Sequence, residues 1–339
     1  MLILPLVTDF SVVICTYNGE HRLPLLLDHL KEQQIPQSLA WEILVVDNNS
    51  HDHTAQCIDR YQQDWPTHSS LRYVFEPRQG LAYARRRAMQ TTTSNLVGFL
   101  DDDTLPADDW VAQAHGFGQR YPQVGAYGST IDGQYESKPP PGFERIASCL
   151  AVIQRGERPF QYTAQQGVLP AGAGMVIRRQ AWLTCVPPKP LLSGVCGTSL
   201  TTKGEDVETL SYIRQGGWPI WHHPQMRLTH RIPATRLRPA YLLPLFQAIG
   251  VNRYALRWAR YRPWQRPGML ILHGLNDLRK LIIHILQTQQ LQPTDIVTTC
   301  ERTLLVHSLI SPLYRLPIHQ VLASLTTEVR GQTSKSGEF

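Results

Sequence analysis

The stretch FSVVICT, from Phe10 to Thr16, and the stretch WEILVVD, from Trp41 to Asp47, decide the fold. Both are short, β-branched and almost continuously apolar, the pattern of a strand covered on both faces. Between them, from Arg22 to Gln34, Leu23, Leu26, Leu27 and Leu30 recur at helical spacing. Strand, helix and strand in that order make a βαβ unit. Working outward, a third strand is expected at Leu71 to Phe75, a helix at Leu81 to Gln90, and a fourth strand at Leu96 to Leu100 that runs straight into Asp101, Asp102 and Asp103. The alternation predicts an α/β chain with a mainly parallel central sheet flanked by helices. Ligands of open parallel sheets bind outside the carboxyl ends of the strands. Three such ends here carry polar clusters: Thr16 to Asn18, Asp47 to Ser50, and the aspartate triplet.

The whole composition agrees with a packed globular chain. Of 339 residues 42% are hydrophobic and the formal net charge is +6, which excludes an unfolded, collagenous or disulfide-stapled protein. The length suits one large or two smaller domains, and no repeat of solenoid period is present. The six cysteines stand far apart without a Cys-x-x-Cys pair, so free thiols in a reducing, cytoplasmic setting are expected. Met1 to Val7 has no basic leader, and secretion is not expected. The most apolar later stretch, Leu270 to Leu286, is interrupted by His273, Asn276, Asp277, Arg279, Lys280 and His284, so it is not expected to span a bilayer. Val124 to Pro190 is rich in glycine and proline and reads as extended segments and loops.

Several clusters carry chemistry. Three adjacent carboxylates at a strand end repel one another unless a cation compensates. If the chain stays extended there, Asp101 and Asp103 face one side and suit Mn²⁺ or Mg²⁺ together with phosphate oxygens; the bland alternative is a solvated helix start, since Pro106, Asp108 and Asp109 follow. Asp47 ends a buried strand, where a donor on a ligand would relieve the cost of an unpaired carboxylate. Asn49, Ser50 and Asp52 are equally suited to capping the next helix. Glu205 and Asp206 precede a helical stripe at Val207, Leu210 and Ile213, so they sit at a helix N-terminus as capping groups or as functional acids. His230 is weak evidence by itself. Pro170 to Met175 allows close backbone approach but is neither a dinucleotide fingerprint nor a P-loop.

Taken together, VVICTYNGE (Val12 to Glu20), VVDNNSHDHT (Val45 to Thr54), GLAYARRRA (Gly80 to Ala88), FLDDDTLP (Phe99 to Pro106), PAGAGMVIRR (Pro170 to Arg179) and GEDVETL (Gly204 to Leu210) resemble, in this order, the family 2 glycosyltransferases of GT-A fold. The resemblance covers residues 8–232. The Trp-Pro-x-Trp and Arg-Pro-Trp-Gln-Arg-Pro stretches are similar to those of cyanobacterial glycosyltransferases of hormogonium polysaccharide biosynthesis. The resemblance implies a GT-A catalytic domain over 8–232, followed by a mainly helical, basic region over 233–325 and a disordered tail over 326–339. It implies that Thr16 and Tyr17 contact the nucleotide base, with Asp47 or Asn48 accepting from it, that Asp102 approaches the ribose, and that Arg85 belongs to the donor site. Asp101 and Asp103 match the metal-binding DxD pair, and His230 falls where some relatives place a further metal ligand. Asp206 matches the general base, Glu205 accompanies it, and Gly172 to Gly174 border the acceptor. The chain departs from the family where Asn48 follows Asp47 in place of a second acid. It also has Tyr254 where processive members carry the Gln of Gln-x-x-Arg-Trp, which disfavours a processive polymerase.

The implied function is inverting, metal-dependent transfer of a sugar from a nucleotide-sugar donor to a hydroxyl of a glycan or lipid-linked acceptor, in extracellular polysaccharide biosynthesis. A metal-dependent nucleotidyltransferase and a noncatalytic carbohydrate-binding protein are the rivals. Residues 231–290 hold ten basic side chains against the single acid Asp277. Their interleaving with Leu, Ile and Trp points away from nucleic acid and toward a peripheral contact with the inner face of the cytoplasmic membrane. The equal alternative is a helix packed on the catalytic domain with solvated arginines.

Overall fold

A computed structural model describes residues 8–163, 167–197, 199–288 and 295–314. Its first strand, β1 (Phe10–Thr16), is buried along almost its whole length because its two faces serve two cores. Val12 and Ile14 meet one core and Val13 the other, the period-two alternation of a strand. The next helix, α1 (Leu23–Lys31), begins with Pro24 in its first turn, where a missing N–H costs nothing. Its Leu23, Leu26, Leu27 and Leu30 are all fully buried on the first core, each contributing about 1.5–3 kcal/mol. Then follow β2 (Trp41–Asp47), α2 (Thr54–Gln63), β3 (Ser70–Phe75), α3 (Leu81–Thr91) and β4 (Leu96–Asp101). These four strands are mutually parallel in the order β3-β2-β1-β4. Registers pair Thr16 with Asp47 and Cys15 with Asp101, so the three polar strand ends do share one rim.

Beyond β4 come β5 (Thr104–Pro106), α4 (Trp110–Arg120), β6 (Ala126–Tyr135), β7 (Phe160–Gln161), β8 (Met175–Arg178), α5 (Arg179–Cys185), α6 (Glu205–Gln215) and β9 (Ile220–Ile232). They extend the sheet as β4-β8-β6-β9-β5, with β7 on β9. Here the pairing is mixed: β8 runs antiparallel to β4 and β6, and β6 runs parallel to β9. The stretch Val124 to Pro190, read as extended segments and loops, thus supplies two central strands. Alternation was masked in β6 by Gly128, Ser129 and Thr130, which are buried without being apolar. Helices α1 and α4 cover one face, and α3, α5 and α6 the other.

Three longer helices end the described chain: α7 (Pro239–Arg260), α8 (Arg266–Thr288) and α9 (Ile296–Ile310). Leu242, Leu245 and Phe246 of α7 form a third core with Phe143, Ile146, Leu150 and Ile232 of the sheet domain and Val297 and Cys300 of α9. The helical segment is therefore fastened to the sheet domain by apolar packing. All six cysteines are free thiols. Among the described residues no helix is long and apolar enough to cross a membrane. The tail expected at 326–339 lies outside the described residues.

Candidate active site

Asp101 closes β4, Asp102 and Asp103 form a turn, and β5 starts at Thr104, whose hydroxyl donates to the Asp101 carbonyl at 2.7 Å. The triplet is thus a tight turn and not the extended segment that alternation assumed. The turn nevertheless brings all three acids to one cleft. Their partners differ. Asp102 accepts from Arg22 at both oxygens (2.8 and 2.9 Å) and from the Thr16 hydroxyl at 2.6 Å. That bidentate bond raises the Arg22 guanidinium above its ordinary value. Asp102 thus braces the rim and also lines the cleft, with acceptor capacity left for a ligand hydroxyl.

Asp103 receives Arg236 Nη1 at 2.7 Å and has His230 Nε2 at 3.5 Å. Burial opposes its ionisation, yet the contacts with His230 and Arg236 hold the carboxyl far below the usual carboxylate range. His230 Nδ1 lies 2.8 Å from the Leu150 carbonyl and must donate to it. As an imidazolium Nε2 donates to Asp103, whereas in the neutral imidazole it carries the lone pair, 3.2 Å from Arg236 Nη1. One carboxylate oxygen and one imidazole nitrogen therefore face a point where a guanidinium stands, and the imidazole is oriented from behind by a carbonyl, as metal-ligating histidines commonly are. This donor set fits Mn²⁺ or Mg²⁺ with phosphate oxygens to complete it. Among the described residues no three His, Cys, Asp or Glu side chains converge into a cage complete by itself.

Asp47 does not face the cleft. Its two oxygens accept from the Ser50 backbone (2.9 Å) and the Tyr73 hydroxyl (2.8 Å), which relieves the buried carboxylate without any ligand. Asn48 does line the cleft, but its amide bridges to the Arg78 carbonyl (2.6 Å) and the Gly80 N–H (2.8 Å). It braces the entry to α3, where Gly80 adopts φ +133°, a conformation costly for other residues. Tyr17 lines the cleft with its ring edge-to-face against His51.

The second acid pair is built around Arg85. This arginine is 3% exposed, donates to Glu205 at 2.9 Å and lies 3.9 Å from Asp101. Burial pushes the Glu205 carboxyl up, while the Arg85 charge works against that shift. Glu205 and Arg85 thus form a buried ion pair, and neither Glu205 nor Asp206 is among the residues that line the cleft. Asp206, half-buried at the start of α6, accepts from the Gly172 N–H at 2.9 Å and from Val207 N–H at 2.8 Å. A Cβ on Gly172 would press on the Arg85 guanidinium and on Asp206, so a larger residue there would have to displace Arg85. We expect Arg85→Met to strand the Glu205 carboxyl and to destabilise the fold by about 3–5 kcal/mol. Urea unfolding checks this; the double variant Arg85→Met, Glu205→Met should recover most of the loss.

The cleft encloses about 580 Å³, in the range of small-ligand sites. Besides the rim residues it is lined by Arg22, Lys203 and Arg236, and by Tyr241 and Leu245 of α7. Asn252 of α7 donates to the Thr201 and Lys203 carbonyls (2.8 and 3.0 Å), fixing the loop that leads to Glu205 and Asp206. Arg22, Arg236, Lys203 and Tyr241 escaped the reading of the sequence. Arg22 follows the Tyr17-Asn18-Gly19 turn and Arg236 follows His230 by six residues, which are the signals available for them.

A sheet of this topology, with an acidic turn after β4 at the mouth of a cleft on the carboxyl rim, is the GT-A fold of nucleotide-diphospho-sugar transferases. Solved structures agree. The mannosyltransferase PcManGT from Pyrobaculum calidifontis, in complex with GDP-Man and Mn²⁺, superposes with TM-score 0.56 at 20% identity, over 91% of this chain and 88% of that one. GalNAc-T7 with UDP, GalNAc and Mn²⁺ gives 0.51 at 18% identity, over 73% and 48%. Residues 11–183 match glycosyl transferase family 2, and the chain belongs to that family. Among relatives, the uncharacterized glycosyltransferase YfnE of Bacillus subtilis is 32% identical over 103 residues, 30% of this chain and 25% of that protein. Glycosyltransferase AglE of Haloferax volcanii is 30% identical over 101 residues, 30% of this chain and 32% of its own length. The glucosyl-dolichyl phosphate glucuronosyltransferase of the same organism is 25% identical over 226 residues, 66% and 69% of the two chains. The matches to the first two thus span only about a quarter and a third of those relatives.

Proposed function

We propose that the chain is an inverting, metal-dependent glycosyltransferase that moves a sugar from a nucleotide-sugar donor to a hydroxyl of a glycan or lipid-linked acceptor in polysaccharide biosynthesis. The observation that carries this reading is the convergence of Asp103 and the oriented His230 Nε2 on one cation-filled point of the cleft. The mannosyltransferase complex with GDP-Man and Mn²⁺ supports the donor class and the metal, and the glucuronosyltransferase acting on a dolichyl phosphate glycan supports the acceptor class.

Asp103 and His230, with Asp101 beside them on the rim, would hold Mn²⁺ or Mg²⁺. When bound, the ion supplies Lewis-acid neutralisation of charge on the departing diphosphate. The chain's own cations reinforce this: Arg22, Lys203 and Arg236 line the same cleft and favour an anionic ligand there. The Tyr17 ring and Thr16 lie at the β1 end of the cleft, where they bound the base. Asp206, oriented by two backbone N–H groups, takes the acceptor hydroxyl's proton as general base. A single direct displacement inverts the anomeric centre. Calorimetric titration of the full chain with UDP and GDP, with and without Mn²⁺, tests the donor site. Binding of one of them that strengthens with Mn²⁺ is expected, and failure of both to bind would overturn the reading.

A further inference from the structure

Helix α8 is inside out. Its protein-facing side carries the polar residues His273, Asp277, His284 and Thr288, all buried or half-buried. Its opposite side carries Ile271, Leu272, Leu275, Ile282 and Leu286, each between 49% and 66% exposed. This rotation is pinned from two directions. Asp277, 1% exposed, pairs with Arg257 of α7 at 2.6 Å, and His273 Nε2 lies 3.1 Å from the Tyr261 hydroxyl. Thr288 accepts from Arg302 of α9 at 3.3 Å. Turning the helix to hide its leucines would break these contacts and leave the Asp277 carboxylate unpaired, which is strongly unfavourable. The apolar stripe is therefore held outward along a 23-residue helix, about 35 Å long, with Trp264 at its approach 75% exposed. An exposed patch of this kind marks an interaction surface.

Charge selects what covers it. From 231 to 288 the only acid is the buried Asp277, so every exposed formal charge in that stretch is positive. Arg262, Arg279 and Lys280 are all exposed, Lys280 on the flank of α8 that borders the groove against α9. Arg279, four residues after Leu275 and seven before Leu286, lies within the stripe itself. A second copy of this face would bury like charges against one another. An anionic bilayer instead accepts the leucines below its headgroups while the arginine reaches up to the phosphates. No described helix is long and apolar enough to cross a membrane, in keeping with a helix that lies along the surface.

We infer that α8, with Trp264, Arg262, Arg279 and Lys280, docks the chain on an anionic lipid surface such as a cytoplasmic leaflet. This stands independently of the reading of the cleft. The test is flotation of the full chain with vesicles of phosphatidylcholine alone or mixed with phosphatidylglycerol. Binding to the mixed vesicles should exceed binding to the neutral ones at least about tenfold at low salt and weaken as salt rises. The triple variant Leu275→Gln, Ile282→Gln, Leu286→Gln and the double variant Arg279→Gln, Lys280→Gln should each lose most of that binding. Their melting temperatures should be unchanged, because the replaced side chains are exposed. Equal binding by the variants would overturn the inference. So would a full chain that ignores anionic vesicles, whether sedimentation shows a dimer, with a second copy on the stripe, or a monomer, with the stripe covered from within the chain.

Discussion

Asp206→Asn should lower sugar transfer by ~10² to 10⁴ fold while nucleotide-sugar affinity hardly changes, the usual worth of general acid or base catalysis. The side chain is held by the Gly172 and Val207 N–H groups, and an amide oxygen can keep one of these bonds, so the variant should fold and bind. What it loses is a group able to take the acceptor's proton. Steady-state kinetics with direct measurement of donor binding separate the two effects. A loss of transfer fully explained by weaker donor binding would make Asp206 a donor contact. Glu205→Gln should behave differently: paired with Arg85 away from the cleft, it should chiefly lower stability, with a smaller effect on transfer than Asp206→Asn.

The second large effect is expected at Asp103. Asp103→Ala should abolish Mn²⁺-dependent binding of nucleoside diphosphate and reduce turnover to background. The variant removes the carboxylate that faces His230 Nε2 and leaves Arg236 without its 2.7 Å partner. A guanidinium stranded in a cleft can still bind phosphate, so metal-independent nucleotide binding should persist or strengthen. Titration calorimetry with and without EDTA distinguishes these outcomes, and circular dichroism reports whether the chain stays folded. Full turnover in the variant, or wild-type turnover unaffected by EDTA, would remove the metal from the account.

The parallel half of the sheet was legible because β1, β2 and β4 are buried on both faces and so read as continuous apolar runs, and α1 shows an undiluted leucine stripe. The other half was not. Its β6 carries buried glycine and hydroxyl residues, and β8 spans only Met175–Arg178, too short for periodicity to register. At the site, residue types were readable but partners were not. Asp47 and Asp102 have the chemistry to contact a nucleotide, yet Tyr73, Ser50, Arg22 and Thr16 also bond to their oxygens. Those partners come from separate strands and helices, and no spacing rule reports them. Glu205 illustrates the same limit, since its burial depends on Arg85, 120 residues earlier. The basic count over 231–290 likewise blended two roles: Arg236 lines the cleft, whereas Arg279 lies on the outward face of α8.

The most direct test of sugar transfer is to identify the phosphate product released across a panel of nucleotide sugars with Mn²⁺ and a glycan or lipid-linked acceptor. Attack at the anomeric carbon should release nucleoside diphosphate in step with transferred sugar, with inverted configuration in the product. Release of pyrophosphate in place of nucleoside diphosphate would contradict it, because attack would then fall on the α-phosphate, as in a nucleotidyltransferase.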